Sequence, residues 1–346
     1  MLVAAAGAVL LGMLGLTIDL GRAYVIRSEL QAYSDAAAVA AAFELDGTSD
    51  GLARADAAAA TGPTNLGAPA NRYDFSTRAV SGIEATYSTT FSGAYESSAG
   101  ATANSRFVRV TASANAPLYF MPILPGVGSS KVLGASSVAG QALEPSIGNG
   151  MAPFSPDAHN AADPNFGLTL GEYYTLKWPP PGQRDKPGNR CSGDVGFTPP
   201  NSSSSRGFIN VGQGNGNSAL YDAIVNNHFY KDQPYTIGSL IDWVPGNKNV
   251  RPAVSDRLNQ DTDTTSVTYS SYTGNGRRLL AAPVNDGGDP ARVVGFGAFF
   301  MPPDMCQDKN ISPCCAEYVG PGLIHGSRKS PGSGAGAGVY RVRLFQ

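Results

Sequence analysis

The sequence predicts an α+β protein in which one long N-terminal helix precedes two β-rich blocks. Two observations carry that prediction. From Met1 to Ile18 no side chain is charged, and from Asp19 to Phe43 there is no proline and one glycine, Gly21, while Ala36–Ala38 and Ala40–Ala42 supply the strongest helix former. Past residue 71, alternating and β-branched runs recur between Gly and Pro clusters. The 42 Gly and 25 Pro among 346 residues mark a turn-rich chain, short of the composition at which a non-periodic sequence stays disordered. Charged residues make up 15%, with 25 basic against 27 acidic, so a phosphate-binding cluster of Lys and Arg is not favoured and no nucleic-acid partner is expected.

The first element is a transmembrane or rod helix over 1–43. Eighteen uncharged residues at ~1.5 Å each reach ~27 Å, close to a ~30 Å hydrocarbon core, and the one polar side chain, Thr17, can bond back to a helical carbonyl. A signal peptide would start basic and stop at a small-residue cleavage site, whereas this helical pattern runs on unbroken. The whole helix would span ~65 Å, leaving about half of it beyond the bilayer. Ala4, Ala8 and Gly12 recur every fourth residue as a helix-packing face, and Ala32, Ala36 and Ala40 repeat that spacing further on.

The run Gly12 to Ala42 ends its apolar stretch in Asp19, continues with Gly21, Arg22 and Tyr24, then Leu30 and Gln31, and then Asp35 before Ala36, Ala37 and Ala38. This pattern resembles the N-terminal helix of the TadE/TadG-like pilus-assembly proteins of the tight-adherence (Flp-type) system, pseudopilin-like components of the bacterial envelope. The resemblance implies a pilin-like membrane-anchor helix and partners among pilin-like or other pilus-assembly proteins. Looser similarity to the β regions of TadG-like proteins covers Arg109 to Gln141, Gly276 to Asp286, Val293 to Phe300 and the stretch from Gly336. Read alone, Arg22 and Arg27 would draw their side of the membrane toward the cytoplasm; the resemblance, with the cysteines discussed below, places it outside. Some larger relatives carry a von Willebrand A-type domain whose metal site begins Asp-x-Ser-x-Ser. The nearest approach here, Asp74 to Arg78, has Arg in place of the second Ser, so that domain is not expected.

After the helix, 44–71 reads as a connector with one helical piece around Leu52 to Ala60. The first β-rich block, 72–144, offers strands at Gly82 to Phe91, Phe107 to Pro117 and Lys131 to Ala142. Pro122 inside Leu118 to Leu124 suggests an edge or a packed loop. A Pro/Ser-rich linker with loops is expected over 145–206. The C-terminal block, 207–346, offers a helix at Ser218 to His228 and strands at Gly207 to Val211, Thr236 to Ile241, Arg278 to Val284, Val293 to Met301 and Val339 to Phe345. Among these, Val293 to Met301 is continuously apolar and reads as a central strand.

The chemistry-bearing motifs are sparse. Gly212, Gly214 and Gly216 lie between a strand and a helix, yet position 217, where a dinucleotide fingerprint needs its third glycine, is Asn217. The Gly332 to Gly338 stretch precedes a strand rather than the helix that a phosphate cradle uses. His159, His228 and His325 are scattered without metal-ligand spacing, Asp261 and Asp263 lack an EF-hand's Gly and Glu, and no nucleophile elbow occurs. No enzyme, cofactor or metal is therefore expected. The four cysteines, Cys191, Cys306, Cys314 and Cys315, suit disulfides in an exported region, with Cys314 and Cys315 pairing separately with Cys191 and Cys306 in either of two ways.

The functional expectation is a minor pseudopilin or accessory structural component of a pilus machine, acting by helix packing. It would be single-pass in the bacterial inner membrane with its C-terminal region extracytoplasmic, or incorporated in a surface pilus. The alternative is a membrane-tethered binding or adhesin module that makes glycan or surface contact through Tyr-, Asn- and Gly-rich loops.

Overall fold

The computed structural model describes residues 2–61, 72–75, 77–80, 82–123, 126–184, 186, 188–197, 205–212, 214, 216–246, 248–306, 312–320, 322–323 and 339–345, with side chains of the first helix described from Gly12. The helices are α1 (Leu2–Glu44), α2 (Ser49–Thr61), α3 (Asn217–Asn226) and α4 (Arg251–Asn259). The strands in the first part of the chain are β1 (Arg72–Tyr73), β2 (Arg78–Ala79), β3 (Gly82–Ser88), β4 (Phe107–Pro117) and β5 (Ser130–Leu143). Next come β6 (Ser146–Ile147), β7 (Tyr173–Lys177), β8 (Ser205–Ile209), β9 (Tyr235–Thr236) and β10 (Trp243–Pro245). The last are β11 (Leu279–Asn285), β12 (Val293–Phe300), β13 (Cys314–Gly320), β14 (Gly322–Leu323) and β15 (Val339–Phe345). The chain forms two compact units, Met1–Gln141 with Val342–Gln346, and Ala142–Arg341.

In the first unit, Ile26, Leu30, Tyr33, Ala37 and Ala41 of α1 are buried at helical spacing. They share one core with Val108, Val110, Ala112 and Ala114, the alternate residues of β4. β4 is the middle of an antiparallel set, paired with β3 from Ser88↔Phe107 to Gly82↔Ser113 and with β5 along its whole length. Alanines on both the helix and the strands let α1 lie close to the sheet. The connector is partly helical, because Leu52, Ala55 and Ala59 put an apolar stripe on α2, and the Tyr33 hydroxyl donates to the Ala59 carbonyl at 2.6 Å. Val342 of β15 packs against this core, and Phe345 meets Phe91 and Phe107 at ring distances of 5.1 and 5.3 Å at its margin.

The second unit is built on an antiparallel sheet ordered β11-β12-β13-β7, with ribbons β10-β8 and β6-β9. β12 is central, in line with its continuous apolar run, and Pro283, which has no N–H for a ladder, lies on edge strand β11. Phe154, Phe208, Leu220, Val254, Phe299 and Tyr318 belong to its main core. The stretch 145–206, expected as linker, instead supplies Phe154, Leu168 and Leu176 to that core and β7 to the sheet. The strand expected at Thr236 to Ile241 shrinks to β9, because Thr236 accepts from Ser239 in a tight turn. β7, β13 and α4 had no counterpart in the sequence reading.

Candidate functional site

The polar residues of α1 form an ordered series of contacts with the rest of the first unit. Asp19 is only 1% exposed. Its carboxylate accepts the backbone N–H groups of Tyr119, Phe120 and Met121 at 3.0, 2.8 and 2.7 Å, where the chain leaves β4 and enters a short 3-10 turn, Met121–Ile123. Burial works to raise this carboxyl's pKa, but the three N–H donors, with the Arg22 charge nearby, lower it overall. One turn on, the Arg22 guanidinium is bidentate to Asp74 at 2.7 and 2.5 Å and sits 4.7 Å over the Tyr119 ring. That pairing holds the Asp74 carboxyl below its usual range. Asp74, first met as a poor match to a metal motif, is thus the anchor point of the helix arginine.

Further along, Gln31 donates to Asp35 at 2.8 Å and to the Ser137 hydroxyl of β5 at 2.7 Å, while that hydroxyl donates to Asp35. Ser34 donates to the Ala135 carbonyl at 3.3 Å, and Leu30 is fully buried. At the helix end, the Gln141 amide donates to the carbonyls of Ala42 and Leu45 at 2.8 and 2.7 Å, supplying partners to C-terminal carbonyls that no helical N–H can reach. Five of the sequence-motif residues, Asp19, Arg22, Leu30, Gln31 and Asp35, therefore fasten α1 to its own unit.

The others face outward. Gly12 and Gly21 have nothing within 4 Å of where a Cβ would stand, and Tyr24 is 76% exposed. Met13, Leu14, Leu16, Ile18 and Leu20 are exposed as well. Ala4 and Ala8 of the proposed packing face lie outside the described side chains, as does most of the expected anchor. Among the described residues no helix is long and apolar enough to cross a membrane. Ala32 is exposed and Ala36 and Ala40 are half-buried, so that repeat lies away from the sheet, which buries Ala37, Ala38, Ala41 and Ala42 instead.

In the second unit the cysteines form two disulfides, Cys191–Cys315 and Cys306–Cys314, one of the two pairings the sequence left open. Asp261 and Asp263 bind loop groups rather than standing free: Asp261 accepts from the Tyr272 hydroxyl at 2.5 Å and the Arg278 N–H at 3.1 Å, and Asp263 accepts from Ser266 and Thr273. His159 Nε2 lies 2.9 Å from Asp194, whose other oxygen accepts the Thr175 N–H at 2.7 Å, and its ring stacks on Phe197. His228 contacts Asp222 at 2.9 Å on the surface, while His325 and the Gly332 to Gly338 stretch lie outside the described residues. Gly216 caps α3, but the strand before it, β8, pairs antiparallel with β10, which a dinucleotide fold does not do. Among the described residues, no three His, Cys, Asp or Glu side chains gather as a metal site. A small cavity of about 100 Å³ is lined by Asp157, Trp243, Asn285 and the loop Gly287–Ala291. Burial there pushes the Asp157 carboxyl up to about 6, against hydrogen bonds from Asn285 and Trp178.

These features define a helix-led α+β protein: the polar motif of the helix serves its own fold, and its apolar end is left outward. Residues 1–44 match a family model, Tad, described as "Putative Flp pilus-assembly TadE/G-like". The matched segment ends where α1 ends and carries every residue of the motif. No curated protein and no solved structure matches the chain.

Proposed function

We propose that the protein is a minor pseudopilin or accessory structural component of a tight-adherence (Flp-type) pilus assembly or secretion machine. In this reading Met1–Ile18 anchors it in the bacterial inner membrane, residues from Asp19 onward are extracytoplasmic, and the protein is not an enzyme. Its partners are pilin-like proteins reached through the apolar end of α1. The carrying observation is the division of labour within the helix. Asp19, Arg22, Gln31 and Asp35 are used up inside the first unit, while Gly12–Leu20 presents apolar side chains outward. A monomer gains nothing from such exposure, whereas a subunit that inserts a helix among others does.

The test is Ala8→Ile/Gly12→Ile in the full chain. Both changes keep the segment apolar, and Gly12 has open space for the new side chain. Normal membrane insertion with lost co-purification of pilin-like partners is expected, and Leu11→Ile should be silent. Wild-type association of the double variant would refute packing through that face. The Asp157 cavity favours a second reading, a membrane-tethered binding or adhesin module. A ring and a carboxyl, from Trp243 and Asp157, are a chemistry that grips glycan hydroxyls. Glycan binding abolished by Asp157→Ala, with pilus assembly intact, would favour it.

A further inference from the structure

We propose that the turn from Leu118 to Pro122 is seated in the headgroup–acyl boundary of the bilayer, with Phe120 and Tyr119 as its buried wedge, so that the first unit rests on the membrane surface. This rests on the reading of Met1–Ile18 as an anchor. A Cβ at Gly15 would lie 2.5 Å from the Phe120 Cβ and 2.7 Å from its ring, so this side chain reaches back along α1 to a level about 6 Å before Asp19, inside the uncharged run. Gly15 leaves the room that Phe120 fills. Yet Phe120 is 41% exposed and Tyr119 54%, an unusual state for aromatics already packed on a helix.

What covers them follows from the helix at the same level. Between Gly12 and Leu20 only Gly15 and Asp19 are buried, and both face the turn. At ~100° per residue, Met13, Leu14, Leu16, Ile18 and Leu20 point outward around the rest of the circumference. A protein groove covers one face, whereas lipid covers all of them. The one hydroxyl among them, Thr17, donates to the Met13 carbonyl at 2.9 Å and asks nothing of its surroundings.

The turn is also chemically fit for low-dielectric surroundings, where an unpaired backbone N–H would be costly. Leu118 donates to the Ser129 carbonyl at 2.9 Å, the next three N–H groups go to Asp19, and Pro122 has none. Every backbone donor from Leu118 through Pro122 is thereby satisfied. The Asp19 charge is enclosed, and Arg22, tied to Asp74, holds its guanidinium over the Tyr119 ring, in the arrangement of an aromatic and an arginine at a membrane–water interface.

The test places tryptophan at Phe120 in the full chain, reconstituted in phosphatidylethanolamine–phosphatidylglycerol vesicles containing lipid brominated near the headgroup end of its acyl chain. Emission is read as the difference from wild type, which carries Trp178 and Trp243. Phe91→Trp is the control, because Phe91 packs on Phe107 at the other end of β4, ~35 Å away by strand rise. Bromolipid should remove most of the added Phe120→Trp emission and leave that of Phe91→Trp intact. Tyr119→Trp gives an independent reading should Phe120→Trp fail to fold. If the chain floats with the vesicles but neither turn tryptophan is quenched beyond the control, the seating is refuted while the anchor survives. If the chain does not float, anchor and seating fail together.

Discussion

The two units solve the same problem by different means. In the first, one continuous helix supplies a whole wall of the core, small residues meet small residues, and side chains of α1 reach out to carboxylate, backbone and hydroxyl partners at Asp74, Tyr119 and Ser137. It holds no cysteine. In the second, short strands and long loops share a core of large aromatics, and loop carbonyls find donors in enclosed guanidiniums. Arg278, fully buried, donates to Met301, Asp263 and Ser266, and Arg257 to Ile224 and Leu279. Burial drives the Arg257 pKa down to about 9. Both disulfides lie here. A long element orders many residues in one nucleation event, so its unit needs few further constraints. A loop-rich unit carries more chain entropy, and covalent closure offsets it.

The sharpest way to break this contrast is to remove the long-range staple. Cys191→Ser with Cys315→Ser, opening a loop of 124 residues, should lower the stability of the second unit by about 5 kcal/mol and leave the protection of β4 and β5 amides unchanged in hydrogen exchange. Asp19→Ala should do the reverse. It strands three N–H groups and should weaken the first unit by roughly 3 kcal/mol, read as lost protection around the turn after β4. Cys306→Ser with Cys314→Ser, closing only 8 residues, should cost about 2.5 kcal/mol, measured by denaturant titration against the first pair.

Acid separates the units by sign. Asp157 has a raised pKa in the folded state, so its unit binds that proton more tightly than the unfolded chain and gains about 1 kcal/mol as pH falls from 7 to 5. Asp19 has a lowered pKa, so its contribution is complete above ~4 and disappears only as pH falls below that through the folded value. Asp157→Asn should flatten the first trend, and Asp19→Asn the second, in pH-resolved exchange of each unit. The smallest effect on stability belongs to Tyr24→Ala, within about 0.5 kcal/mol, since the side chain is mostly in solvent. A larger loss in thermal unfolding would mean that Tyr24 serves the fold after all.

Much of the first unit could be read from the sequence because α1 has no proline and one glycine between Asp19 and Phe43 and β4 carries β-formers through Val108 and Val110, but the face α1 buries, Ile26, Leu30, Tyr33 and Ala37, is not the Ala32-Ala36-Ala40 repeat that its alanines brought forward. The Asp19 motif could be seen but not its use, since its partners lie about a hundred positions away and are backbone groups, to which no side-chain pattern corresponds. Asp74 was visible only as a failed metal motif. In the second unit, α4 has Pro252 in its first turn and a short apolar face, Ala253, Val254 and Leu258, that is shared with buried Arg257, and β7 is five residues flanked by Gly171 and the Trp178–Pro181 run, so neither carries a period long enough to register. β13 opens on the Cys314–Cys315 pair, which drew attention as sulfur chemistry rather than as a strand.

The helix-bearing unit takes Val342–Phe345 as part of its body, and the ring of Phe345 closes against Phe91 and Phe107. A ribosome delivers α1 first, yet this unit cannot be complete until all of Ala142–Arg341 has been made. The unit begun earliest is therefore finished last, and until then α1 and its sheet lack that closing strand. An epitope inserted beside Leu344 would therefore disturb the opposite end of the polypeptide from the one it was meant to report on.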